Sequence, residues 1–217
     1  MKNLFSLIAF VFISIASIHA QDVKMTFTAG VSPQQTPTPH HIFVNRSSPR
    51  DEFTFDLAQV KASYFVGFGA KYELNPFFLA AEAQYNKREY VYGVLYTFPG
   101  FGRSEQTEFF TESMNVINLP LTLGVDLGIV DVTSGFLPQL ILSNDSDLAE
   151  LPGYNQKLDF LRFGMHSGIA ANINNLRVGL SWQMDFNNYA DHAFIRTQNL
   201  SLQGRSTRVL GTLSYQF

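Results

Sequence analysis

The chain of 217 residues contains no cysteine. That excludes a structural disulfide and lipid attachment through a processed N-terminal cysteine. Charge is also scarce, at 15% of residues, and there is a single tryptophan. Acidic residues outnumber basic ones, 18 to 15. Loss of a leader carrying Lys2 would leave 14 basic against 18 acidic residues, a formal charge of −4. Such a chain lacks the basic surface that phosphate neutralisation requires, so nucleic acid is not the expected partner. After the first 20 residues no apolar run reaches the ~18 residues of a spanning helix. If this sequence crosses a membrane, it must do so with strands.

What is present begins with a leader. Lys2 is the one charge in residues 1–20, an apolar run extends from Leu4 to Ile18, and Ile18-His19-Ala20 forms a small-residue cleavage site before Gln21. This is the pattern of a secretory signal peptide, too short and wrongly flanked for a stable span. The expected organisation is therefore a signal peptide over 1–20 and one domain over 21–217.

The remainder alternates with period two in eight segments, near 23–31, 57–73, 77–90, 114–127, 129–141, 158–172, 175–187 and 207–217. The seventh is the cleanest. Leu176, Val178, Leu180, Trp182, Met184 and Phe186 oppose Arg177, Gly179, Ser181, Gln183 and Asp185. Alternation of this kind makes a strand with one apolar and one polar face. Each segment reaches the ~9–11 residues of a tilted membrane strand. Connections alternate between tight turns (Leu74-Asn75-Pro76, around Gly128, Ile173-Asn174) and links of about 16 to 25 residues, as in barrels with short periplasmic turns and long external loops.

The expected fold is all-β: an eight-stranded, antiparallel, up-and-down transmembrane β-barrel. A soluble eight-stranded barrel such as a lipocalin is the alternative, but its outer face would carry the charge. Here charged residues share a face with Gly and small polar residues, which suits a crowded interior. Eight strands leave a lumen that side chains fill, against a general porin. The expected lumen network is Lys61, Lys71, Glu82, Arg88, Asp126, Asp131, Arg162, His166, Arg177, Ser181, Asp185 and Arg208, with acids and bases paired. Tyr64, Tyr72, Tyr85, Trp182 and Tyr215 are candidates for the aromatic girdles at the membrane interfaces.

A two-residue turn between Asn172 and Asn175 would oppose Arg162 to Asp185 and His166 to Ser181. The first is an expected ion pair. The second is the one pairing that looks like a base and a nucleophile, but it would face a filled lumen away from acyl chains. No catalytic residues are therefore assigned, and the expected role is not enzymatic. His40-His41 lacks supporting carboxylate or cysteine ligands, so no metal is assigned, and no cofactor is expected. The Tyr90–Tyr96 stretch and Phe98–Phe110 either extend strands three and four beyond the membrane or form a binding surface, extension being the expected reading.

A chain ending Ser-Tyr-Gln-Phe on an amphipathic strand resembles outer-membrane β-barrel proteins. The resemblance implies that Tyr215 and Phe217 form the assembly signal met by the barrel-assembly machinery. Met114-Asn-Val-Ile-Asn-Leu-Pro-Leu-Thr-Leu-Gly-Val, Gly164-Met-His-Ser-Gly-Ile-Ala-Ala-Asn and the Leu176–Phe186 strand are similar to the PorT-like outer-membrane barrels of the Bacteroidota. That likeness implies a Gram-negative outer-membrane location and outer-membrane lipid as the surrounding solvent. It also implies a secretion or surface partner of unknown identity. The leading expectation is a structural or interaction barrel. A secretion accessory or narrow conduit is the alternative, and a lipid-modifying enzyme stands behind it.

Overall fold

The computed structural model describes residues 23–37, 42–44, 53–98, 104–195 and 197–217. The leader over 1–20 and the His40-His41 pair lie outside the described residues. In chain order the strands are β1 (Val23–Ser32), β2 (Ile42–Val44), β3 (Phe53–Val60), β4 (Ser63–Leu74), β5 (Phe77–Phe98), β6 (Ser104–Asn118) and β7 (Leu121–Asp126). They continue with β8 (Val130–Ser146), β9 (Tyr154–Gln156), β10 (Leu161–Ile173), β11 (Leu176–Tyr189), β12 (Ala193–Ile195), β13 (Gln198–Asn199) and β14 (Leu202–Gln216). A 3-10 turn spans Asp147–Glu150.

The sheet closes on itself into an antiparallel barrel of eight staves, because β1 pairs with both β4 and β14. Two staves are interrupted. β3 and β4 together form the second, both pairing with β5 and separated by Lys61-Ala62. β6 and β7 form the fourth, broken at Leu119-Pro120. Proline has no N–H for the ladder, which accounts for that break. Closure is completed at the chain end, where Met25 N–H donates to the Phe217 carbonyl (3.0 Å) and Phe217 N–H donates to that of Met25 (3.1 Å). The turns at Asn75-Pro76, 127–129 and Asn174-Asn175 gather at the same end as Phe217, termed the turn end. The long connections lie at the opposite, loop end.

Around the barrel the apolar parity faces outward. Phe27, Val66, Phe68, Leu79, Leu121, Leu123, Ile169, Val178, Leu180 and Leu213 are all exposed, while their sequence neighbours point in. This is the reverse of a lipocalin, and it is stable only where hydrocarbon replaces water around the wall.

Above the band the inward face turns apolar. In β5 the outward set Phe77, Leu79, Ala81, Ala83 and Tyr85 gives way to Lys87 and Glu89. The inward set Glu82, Gln84, Asn86 and Arg88 gives way to Tyr90, Tyr92, Val94 and Tyr96. These inward rings join Phe53, Phe55, Leu57, Phe110, Met114, Leu148, Leu151, Ile195, Leu200 and Leu202 in a buried apolar core at the loop end. Burying each such side chain is worth about 1.5–3 kcal/mol, so this region is held together like a water-soluble domain. Strands β5 and β6 run on past the apolar band as a hairpin, and β3 packs beside them.

Two sequence expectations change. The second stave has a register shift between Leu57 and Gln59. A bulge inserts one residue and swaps the faces, so Val60 turns inward and Lys61 turns outward, where its Nζ meets Glu89 Oε2 at 3.0 Å. Lys61 therefore does not belong to the lumen. The β10–β11 turn is Asn174-Asn175, flanked by Ile173 and Leu176, one residue later than expected. Asn174 takes the left-handed conformation (φ 55°), which asparagine tolerates better than the isoleucine before it. With that shift Asp185 opposes Gly164, His166 opposes Gln183 and Ser181 opposes Gly168. The expected Arg162–Asp185 and His166–Ser181 pairings are both absent.

Candidate functional site

The interior is stacked in three layers. Nearest the turn end is a polar chamber of about 100 Å³, lined among others by Lys71, Glu82, Gln84, His166, Arg177 and Ser181. Arg177 Nε donates to Asp131 Oδ2 at 2.9 Å, and Asn172 Nδ2 donates to Asp131 Oδ1 at 2.9 Å. Lys71 Nζ lies 3.3 Å from Glu73 Oε1 and 4.1 Å from the centre of the Phe78 ring. His166 Nε2 approaches Thr122 Oγ1 at 3.3 Å. Asp126, expected in the lumen, ends β7 and turns its side chain to the following turn, where it accepts the Gly128 N–H at 2.7 Å. Gly128 has φ 93°, so the turn needs glycine there and an acceptor for its amide.

The second layer is a plug across the barrel. Arg88 Nη1 donates to Asp185 Oδ2 (3.1 Å) and to Gln139 Oε1 (3.1 Å), and Nη2 donates to Asn118 Oδ1 (2.9 Å). Gln139 Nε2 also donates to Asp185 Oδ1. Arg208 Nη2 donates to Gln183 Oε1 at 3.1 Å and lies 3.7 Å from Asp185 Oδ1. Every member is buried. These five staves (β5, β6, β8, β11, β14) are tied across the lumen by side chains.

The third layer lies above the apolar band, inside the loop-end core. Glu112 is buried and accepts from Tyr92 Oη (3.1 Å), Asn144 Nδ2 (2.8 Å) and His192 Nε2 (2.7 Å). The other ring nitrogen of His192 lies 3.4 Å from Asp191 Oδ1. Asp191 in turn accepts from Arg162 Nη2 at 2.9 Å and from Asn187 Nδ2 at 2.7 Å. This is where Arg162 finds its acid. Burial opposes charge on His192, but the hydrogen bonds to Asp191 and Glu112 and the Glu112 charge outweigh it and hold its pKa above the usual histidine range. Burial would raise the Asp191 carboxyl, yet the bond to His192 and the Arg162 charge bring it below the usual range.

Both His192 nitrogens are engaged by carboxylates and the ring is buried, so it fits a clamp better than a general base. Sequence reasoning missed Glu112, Asp191, His192 and Tyr92. The only available signal was the loss of clean alternation after Tyr90, where both parities become apolar. All five aromatic girdle candidates lie on the outer face. Tyr72 and Tyr215 are toward the turn end, and Tyr64, Tyr85 and Trp182 are toward the loop end.

No family model matches the chain, and no curated protein matches it. Among solved structures it aligns with the crystal structure of the outer membrane protease OmpT from Escherichia coli, at 11% identity and a TM-score of 0.41. The alignment covers 91% of this chain and 97% of that chain.

Proposed function

We propose that this chain is an integral outer-membrane barrel without chemistry of its own, exported by the leader at 1–20, which presents a folded external surface to a partner. The observation that carries the reading is the apolar inward face that begins where Lys87 and Glu89 interrupt the apolar outward face of β5. Apolar residues face outward up to Tyr85, and apolar residues face inward from Tyr90 on. A wall built this way has a lipid-facing belt with a water-facing structure above it. The turn end then lies in the periplasm and the loop end outside.

The plug of Arg88, Asp185, Gln139 and Arg208 argues against a conduit, because a solute would have to break a buried, mutually bonded charge cluster. The exposed β5–β6 hairpin would equally serve a secretion accessory of the PorT-like kind.

Two measurements test this. Gel mobility of the protein from isolated outer membranes should shift on boiling. A soluble periplasmic protein with no shift would sink the reading. In planar bilayers the purified barrel should show no steady ion flux, whereas sustained conductance would favour the conduit.

A further inference from the structure

The loop end carries one feature that the barrel itself does not need. Strand β6 is paired with β5 along its whole length, Glu105 to Asn118 matching Gln84 to Thr97 in register. Its other edge pairs with β8 only from Glu112 to Asn118. At Thr111 the backbone N–H is taken by Asp147 Oδ2 (3.1 Å) rather than by a strand. Beyond it, among the described residues, nothing pairs with the second edge of 104–110. Groups on one edge alternate along a strand. The N–H and C=O of Phe109 and Thr107 therefore point the same way as those of Thr111, toward the open side. An unpaired edge is a template for another strand.

The surroundings of that edge are acidic. From Ser104 to Gln156 the sequence has no Lys, Arg or His. Glu108, Asp145, Asp147 and Glu150 are all exposed in this region. Beside them Phe109 presents its ring to solvent, 67% exposed. Backbone groups, an aromatic seat and negative charge thus occur together along about 20 Å of strand.

We infer that the free edge of β6 binds an extended, positively charged segment of a partner protein by strand addition. Main-chain bonds to Thr107 and Phe109 would supply affinity, the Phe109 ring would seat an apolar side chain, and Glu108 and Asp147 would select basic neighbours. This rests on the reading of the loop end as external, and it specifies the partner that reading leaves open.

The test uses the full chain in lipid nanodiscs and a fluorescent eight-residue peptide alternating lysine with valine and threonine. Its control replaces each lysine by glutamate. The lysine peptide should bind at least about tenfold more tightly than the control and weaken as salt is raised. Thr107→Pro removes an edge donor without removing a bond to β5, and it should reduce binding about tenfold. Glu108→Lys, which keeps every donor, should also weaken binding. Absence of binding, or binding indifferent to Thr107→Pro, overturns the inference. Edge-dependent self-association abolished by Thr107→Pro, with no peptide binding, would assign the edge to a second copy and likewise overturn it. Because the chain has no cysteine, Thr107→Cys can be labelled in whole cells with an impermeant maleimide. Labelling without peptide binding removes only the partner assignment, whereas failure to label removes the external reading itself.

Discussion

His192 Nε2 lies 2.7 Å from Glu112 Oε1, so a histidine of the β11–β12 connection is bonded to the middle of β6 inside an apolar core. Protonation of the ring would neutralise a carboxylate whose other donors, Tyr92 and Asn144, are neutral.

The pH dependence of the loop-end region follows. His192 has its folded pKa raised above the ordinary 6.5, so its stabilisation is complete below 6.5 and is lost as pH rises through the higher folded value. Asp191 has its folded pKa lowered below 3.8, so its stabilisation holds above 3.8 and is lost as pH falls through the folded value. The loop-end core should be most stable between about pH 4 and 6.5. Amide exchange in Ala193–Ile195 should accelerate on the alkaline side while β10 and β11 stay protected. His192→Gln should flatten the alkaline change, and an unchanged profile in that variant would exclude His192 as its source.

Arg88 anchors the plug through three acceptors on three staves. Arg88→Ala leaves Asp185 with Arg208 at 3.7 Å as its nearest cation. A loss of about 1–3 kcal/mol is expected, because Gln139 and Asn118 lose their buried donor while Asp185 keeps only the longer contact to Arg208. Asp185→Leu should lose more, about 3–5 kcal/mol, because it leaves Arg88 and Arg208 buried without an acid. Urea-dependent unfolding in detergent, followed by the heat-modifiable band, measures both.

Two glycines should respond in opposite ways to the same methyl group. A Cβ at Gly135 would collide with the Leu121 carbonyl and the His166 ring, and the carbonyl is fixed by the sheet. Gly135→Ala should cost about 1–3 kcal/mol. At Gly211, on the outer wall, the nearest atom would be Val31 Cγ2 at 4.0 Å. Gly211→Ala should be neutral or slightly stabilising by the same unfolding assay, since alanine is the less flexible residue in a strand.

Leu180 is exposed on the apolar belt. Leu180→Arg should destabilise by about 2–4 kcal/mol if the belt meets hydrocarbon. In a water-facing wall the substitution would be harmless, so this variant reads the solvent directly.

Phe217 joins β1 through paired backbone bonds to Met25, and its ring lies 5.9 Å from that of Tyr215 and 6.3 Å from that of Phe68. Phe217→Ala should slow assembly into the membrane while the backbone bonds and the plug persist. Pulse-chase appearance of the folded band checks this, and normal assembly kinetics would count against a role for the terminal ring.

The barrel was legible in the sequence because a strand in a membrane wall shows its two solvents residue by residue. Leu176–Phe186 displays both faces without interruption. What sequence reading lost were places where one residue of offset matters. The shift between Leu57 and Gln59 turned Lys61 outward, and the turn at Asn174 moved Asp185 from Arg162 to Arg88. Period-two patterns carry no record of such slips, since a bulge leaves composition unchanged. The loop-end cluster was hidden for a different reason. Glu112 sits among apolar inward neighbours, and Asp191 and His192 lie in a connection with no periodicity. Their convergence depends on strands far apart in the chain.

The change of solvent along β5, between Tyr85 and Lys87, also sets the depth at which the molecule rides. A slip of two residues toward the turn end would draw Lys87 into the apolar belt, and a slip toward the loop end would strand apolar side chains in water. The chain thus carries its own waterline. Whatever meets the loop end meets it at one fixed height above the apolar belt.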